Sequence, residues 1–467
     1  MNETALTSYL DRWAEKEHIA GFSACIISDG EPVYTHANGW TNADGTARPD
    51  PDTMYGIGSL SKSLTALSAC ILAVEGKLDL ESPVTDWLPG FRFPLQHGTV
   101  TVRHLCMHTS GLPPMEALEW SSVMNTTGRP ADEETIRLRE SAPSRVSTLE
   151  ELLSCIAECP YPPVGAPGER FSYSNEGYAL LSYVIDRAAG IPLEDFMRER
   201  IFLPLGMTRS ILDNGVEASR KLANGNFTSL FSWDGERQVC DDGWSILPPY
   251  RGCAMVKSTA RDLARYYATL SSYGRIGGRQ VIPEEAVRML VCDTVPAERI
   301  PAMCLGINKR KFGEHVICDH GGALHGLSAK GAFLLGEGYG FAVLTNEDGA
   351  DLDHVVWAME NAILGRSLEK SHEWFIPSDD ACPDAERFAG AYEDHEGLPE
   401  ILTISISPEG LTAEKNGRVH SLQFCGETRF LATDSEGRSL MHLTFHPEGS
   451  VCNLVSCGSR IFRRSGA

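Results

Sequence analysis

The stretch Tyr55-Gly-Ile-Gly-Ser59-Leu-Ser-Lys62-Ser-Leu-Thr-Ala66 decides how this chain is read. A glycine-punctuated loop runs into an apolar helix, and a serine and a lysine stand three residues apart at the junction. Three residues is close to one helical turn, so Ser59 and Lys62 share a face with their heads within reach. A hydroxyl is a poor nucleophile at neutral pH and needs a base beside it. A buried ammonium gives up its proton readily enough to be that base. Backbone N–H groups at the helix start favour developing negative charge. The expectation is a covalent acyl-transfer enzyme.

Outward from this stretch, Leu64, Leu67, Ile71 and Leu72 continue the helix to about Gly76. Upstream, Leu6, Leu10 and Trp13 have helical spacing, and the runs 22–27 and 33–34 read as strands around the Asp29-Gly30 turn. Downstream, helices are expected from Thr101, from Gly177 to Gly190 and from near Ser258. Phe333-Leu-Leu and Tyr339-Gly-Phe-Ala-Val-Leu read as a hairpin that closes a sheet. Residues 115–150, with the charged run Asp132-Glu-Glu-Thr-Ile-Arg-Leu-Arg-Glu, read as a lid or a solvated excursion, and the excursion is preferred. The polar, proline-bearing stretch 367–384 reads as a linker. Beyond it Gly410, Gly417, Gly426, Gly437, Gly449 and Gly458 punctuate short alternating runs, the pattern of a small antiparallel barrel or sandwich. The division expected is 1–366, 367–384 and 385–467.

Bulk properties narrow the function. A chain of 467 residues with net charge −22 is a poor partner for nucleic acid or an anionic membrane surface. The fourteen cysteines include no C-x-x-C pair and sit in apolar contexts, which suits reduced core thiols. The N-terminus lacks the basic and apolar regions of a signal peptide, and no run reaches the roughly 18 apolar residues of a membrane span. The chain as given is expected to stay in the cytoplasm. No cofactor is called for. His104 and His108 have the i, i+4 spacing of metal ligands but lack the glutamate of H-E-x-x-H, so no metal is assigned.

Three further pieces could complete a site around Ser59. Phe171-Ser-Tyr173-Ser-Asn175-Glu-Gly sets a phenol and a carboxamide two residues apart before a helix. A tyrosine beside a lysine relays protons, and the carboxamide of Asn175 can donate to a substrate carbonyl. Alone, Tyr173 would read as a core aromatic and Asn175 as an N-cap. In His320-Gly-Gly322-Ala323 the glycines let a strand edge approach a substrate closely, and an N–H from that edge with that of Ser59 would form an oxyanion hole. Alone, His320 would read as a structural histidine.

Together these motifs resemble the serine β-lactamase and penicillin-binding-protein superfamily, for which S-x-x-K is one hallmark. The resemblance is nearest to the class C-like branch of esterases, D-stereospecific aminopeptidases and related peptidases. There the second motif is Y-x-N, here Tyr173-Ser-Asn175, and the third is often H-x-G, here His320-Gly-Gly322. Thr101-Val-Arg-His-Leu-Cys-Met-His-Thr-Ser-Gly-Leu-Pro, Pro204-Leu-Gly-Met and Leu344-Thr-Asn agree, and the likeness covers roughly residues 5–365. The C-terminal part, opening with Phe388-Ala-Gly-Ala-Tyr, looks like an appended lipocalin-like barrel.

The resemblance implies an α+β fold, with a helical subdomain against a five-stranded antiparallel sheet flanked by helices. It implies Ser59 as nucleophile, Lys62 and Tyr173 as its activators, and Ser59 and Ala323 as oxyanion-hole donors. Asn175, His320 and Gly322 would then bind substrate, a small molecule or short peptide. His320 stands where β-lactamases carry lysine and is mostly neutral at pH 7. That moves the expectation from β-lactams to peptides, amides (D-residue-containing ones included) or esters. An acyltransferase using the same acyl-enzyme, a non-catalytic scaffold of the same fold, and a homo-oligomer remain open.

Overall fold

The computed structural model describes residues 1–93, 98–128, 133–142, 146–292, 302–396, 399–408, 410–434, 439–449 and 451–466. Seven antiparallel strands form the main sheet. Their spatial order is Ala302–Met303, Asn308–Phe312, His315–Leu324, Leu327–Leu334, Tyr339–Thr345, Gly21–Ser28 and Glu31–Gly39. The N-terminal hairpin turns at Asp29 and Gly30, both at positive φ. Its first strand pairs with Tyr339–Thr345 from the far end of the region, Phe22 opposite Thr345. Five strands were expected. The sheet gains two more because Asn308–Phe312 folds back on His315–Leu324 through a turn at Gly313 and carries Ala302–Met303 on its outer edge.

The strand Gly21–Ser28 is covered on both faces, as its alternation shows. Phe22, Ala24 and Ile26 pack with Leu6, Leu10, Trp13, Val355 and Met359 of the helices Glu3–Lys16 and Asp353–Ile363. Cys25 and Ile27 face the opposite core, built around the helix Ser61–Val74. That helix is buried nearly throughout, and the hydroxyls of Ser61, Ser63, Thr65 and Ser68 are satisfied on backbone carbonyls. The expected helices appear at Val102–Cys106, Asn175–Ala189 and Ala260–Ser271. His104 belongs to a capping box with Thr101, which gives this histidine a structural task.

Where they are described, residues 115–150 are a solvated excursion only in part: Arg137, Arg139 and Glu140 of the charged run are exposed, but the segment also packs inward. The helices Ala117–Asn125 and Glu133–Ser141 bury Ala117, Val123 and Leu138 and wall one side of a cleft, while Met124 and Ile136 face outward. Positions 129–132 and 143–145 of that segment lie outside the described residues. No helix among the described residues is long and apolar enough to cross a membrane.

Nine antiparallel strands make the C-terminal barrel, with Phe388, Tyr392, Leu402, Phe430, Phe445 and Phe462 in its core. Arg418–Ser421 and Gln423–Phe424 stand at the two ends of the strand order, yet only Leu422 separates them in sequence. Joining the edges in this way nearly closes the sheet on itself and leaves little unpaired edge. Gly417, Gly426, Gly449 and Gly458 all take positive φ between strands, while Gly437 lies outside the described residues.

Candidate active site

Ser59 sits in a single 3-10 turn, Gly58–Leu60, just ahead of the helix that carries Lys62. The turn is pinned from below: Ser61 Oγ donates to Gly58 O at 2.7 Å and accepts from Val256 N at 3.2 Å. Lys62 Nζ donates to Ser59 Oγ at 2.9 Å. The ammonium also donates to Cys253 Sγ at 2.9 Å and Cys253 O at 3.3 Å. It lies 4.8 Å from the centre of the Tyr173 ring.

The charge on Lys62 is set by competition. Burial pulls the ammonium down, while the anionic forms of Cys253 and Tyr173 pull it up and carry it above its ordinary value. Burial holds the Cys253 thiol itself above its ordinary range. Whenever Cys253 is anionic, Lys62 therefore stays charged. The expectation that burial alone would free a basic lysine leaves out these partners.

Tyr173 and Asn175 flank Ser174, and it is Ser174, not Asn175, that caps the following helix, with its Oγ accepting from Gly177 N at 3.0 Å. The carboxamide is thereby free for other partners. Asn175 Oδ1 accepts from the Cys253 thiol at 3.1 Å, and Nδ2 donates to Glu396 Oε1 at 2.8 Å. Ser174 N donates to His108 Nδ1 at 3.0 Å, and the His108 ring stacks on Tyr173 with centroids 4.2 Å apart. Burial and the Lys62 charge hold His108 well below its ordinary pKa, so it stays neutral.

The strand carrying His320, Gly322 and Ala323 lies backbone against backbone on the Ser59 turn. A Cβ on Gly322 would stand 2.1 Å from Ile57 O and 3.1 Å from Ser59 N. Gly58, at φ +51°, is also tight, and a Cβ there would stand 2.7 Å from Ala323 N. This close approach brings the Ser59 and Ala323 segments together as an oxyanion hole requires. His320 is buried, and burial together with Lys62 pushes it down to about 4. Its Nδ1–H donates to the carbonyl of Gly321, which fixes the tautomer of the neutral ring.

These groups open into one cavity of about 830 Å³, lined by Ser59, Tyr173, Asn175, Cys253, Gly322 and Arg460 among others. The three described cations on its wall are all paired: Arg310 with Asp319 and Glu360, Lys330 with Asp319 and Asp353, and Arg460 with Glu396. Past Ala323 and Leu324 a second cavity of about 520 Å³ continues between Val123, Leu138 and His325.

The structure thus brings all seven residues singled out from the sequence to one cleft. Four others meet them there unannounced. Cys253 carries no motif, and His108 stands out in the sequence only by its i, i+4 spacing from His104 and by lying in the Thr101–Pro113 segment that supports the resemblance. Glu396 and Arg460 belong to the barrel, which the sequence presented as a separate unit.

The chain belongs to the Beta-lactamase family, whose pattern matches residues 6–365. It is 28% identical over 267 residues to Penicillin-binding protein 4* of Bacillus subtilis, covering 56% of this chain and 54% of that protein. It is 31% identical over 205 residues to Esterase EstB of Burkholderia gladioli, covering 43% and 49% respectively. The chain therefore spans about half the length of the curated relatives it matches. In three dimensions it resembles the octameric penicillin-binding protein homologue from Pyrococcus abyssi, with TM-score 0.68 and 23% identity over 99% of this chain and 100% of that one. That likeness extends the shared fold through the barrel.

Proposed function

We propose that this chain is a serine hydrolase that forms an acyl-enzyme on Ser59 and acts on small peptides, amides (D-residue-containing ones included) or esters. The observation that carries the reading is the 2.9 Å contact between Lys62 Nζ and Ser59 Oγ inside the cleft. Attack by Oγ forms the O–C bond while the carbonyl electron pair moves onto oxygen, facing the N–H groups of Ser59 and Ala323. The hydroxyl proton passes to the Lys62–Tyr173 pair; the oxyanion then collapses, the bond from the carbonyl carbon to the leaving group breaks and the leaving group takes that proton. Water then attacks the acyl carbon and breaks its bond to Oγ by the reverse relay. Neutral His320 offers a substrate no fixed charge, and the cations of the wall are already neutralised by carboxylates, which favours substrates that need no strong anion site.

A fluorophosphonate probe should label the native protein stoichiometrically and leave Ser59→Ala unlabelled. A native protein that resists the probe would sink the hydrolase reading and favour a scaffold. Acyl transfer is a second reading, supported by the cavity beyond Ala323 and Leu324, which offers room for an acceptor. Amines added during ester turnover would reveal it as amide product.

A further inference from the structure

We propose that Arg460, supplied by the C-terminal barrel, is a positioning residue for the reaction, holding Tyr173 in place against Lys62. The inference rests on the reading of Tyr173 as part of the proton relay.

Arg460 opens the barrel strand Arg460–Arg464 and reaches into the cleft of the Ser59 region. One guanidinium nitrogen donates to Tyr173 O at 3.1 Å, and the guanidinium carbon lies 4.7 Å from the centre of the Tyr173 ring. The other side of the same peptide unit is held as well, since Ser174 N donates to His108 Nδ1. The Tyr173–Ser174 peptide is therefore clamped at its carbonyl by the barrel and at its N–H by the catalytic region. Ring contacts from Arg460 and His108 fix the phenol on the same peptide.

Glu396 completes the clamp. It pairs with Arg460 through both carboxylate oxygens and accepts from Asn175 Nδ2 at 2.8 Å. The contacts run in a closed ring, from Lys62 to Cys253, Asn175, Glu396, Arg460, Tyr173 and back to Lys62. A partly buried ion pair alone is weak evidence for anything beyond docking. Here the fork of Arg460 does something an apolar contact would not, binding a main-chain carbonyl and a ring face together.

The test uses full-length protein and p-nitrophenyl acetate, which is neutral and too small to need a charge from the barrel. Arg460→Ala should lower kcat about 30-fold with KM within about threefold, as a displaced catalytic group does. Guanidinium ions at tens of millimolar should restore part of that rate in Arg460→Ala, and sodium should not. Arg418→Ala, an exposed barrel arginine, should behave as native. Unchanged kcat in a folded Arg460→Ala protein overturns the proposal. So does a loss confined to KM for substrates bearing a carboxylate, which would make Arg460 a reader of substrate charge. Where Arg460→Ala fails to fold, Arg460→Lys keeps the charge and loses the fork; about a tenfold drop in kcat at native melting temperature supports the proposal, and native kcat overturns it. Absence of Ser59 labelling in the native protein shows separately, before any barrel variant is made, and removes the reading on which this inference rests.

Discussion

Two junctions build the cleft, and they are made of different materials. At one, the strand from His320 to Ala323 meets the turn at Gly58 and Ser59 backbone to backbone, with no room for a single extra carbon at Gly322. At the other, Glu396 and Arg460 of the barrel meet Tyr173 and Asn175 through long side chains and an ion pair. The first is rigid because close-packed main chain has nowhere to move. The second is held by directional contacts that a single substitution can release. One junction is set by the shape of the chain, the other by the chemistry of a few atoms.

The largest expected effect strikes the first junction. Gly322→Ala places a methyl group 2.1 Å from Ile57 O, so the strand must withdraw from the Ser59 turn. Losing one oxyanion donor costs about 10²–10³ in kcat, and that is the drop expected on p-nitrophenyl acetate, with the circular dichroism spectrum retained. Gly321→Ala is the control one residue away. Its methyl would find only Lys330 Cδ, at 4.0 Å, and should cost less than about threefold. Equal losses in both variants would mean that the strand tolerates no change anywhere, and the special standing of Gly322 would fall.

The contrast also explains what the sequence disclosed. The serine–lysine spacing, the Tyr173–Asn175 pair and the glycines after His320 were legible because close geometry restricts residue type at fixed offsets. The two-faced strand at Gly21–Ser28 was legible for the same reason, since burial on both sides demands continuous apolar character. Arg460 and Glu396 left no comparable trace. An arginine and a glutamate on a barrel rim are ordinary surface residues until a second body covers them. The wall made by Ala117–Asn125 was not legible because the charged run downstream of it, itself largely exposed, masks the few residues such as Ala117 and Val123 that pack inward. The charge state of Lys62 could not be read from burial alone, because its partner Cys253 lies 191 residues away.

Cys253 links the two junctions, touching Lys62 on one side and Asn175 on the other. If the thiol carries order from one to the other, Cys253→Ala should lower kcat about tenfold, the value of one hydrogen bond to a charged group. Cys253→Ser, which keeps a donor and an acceptor, should stay within about threefold of native. Native turnover in the alanine variant would leave Cys253 as packing and the two junctions as independent contributors.

The smallest expected effect separates the junctions by pH. His320, on the Ser59 side, is pushed by burial and then by Lys62 from an ordinary value of 6.5 down to about 4. Between those values the unfolded chain binds the extra proton, so stability is lost as pH falls from 6.5 towards 4. Asp394, on the barrel side beside Arg460, is pushed by burial from 3.8 up to about 6, against the opposing charge of Arg460. There the native state binds the extra proton, so stability is lost as pH rises from 3.8 towards 6. Each gap corresponds to on the order of 3 kcal/mol, and the two have opposite signs. Acidification from pH 7.5 to 4.5 should therefore leave these two contributions nearly cancelled in the native protein. Asp394→Asn removes the compensating gain, and its melting temperature should fall a few degrees further than native over that range. His320→Gln removes the loss, and its melting temperature should fall less. Parallel pH dependence in all three proteins would show that neither group is held as its burial requires, and that the two junctions do not differ electrostatically.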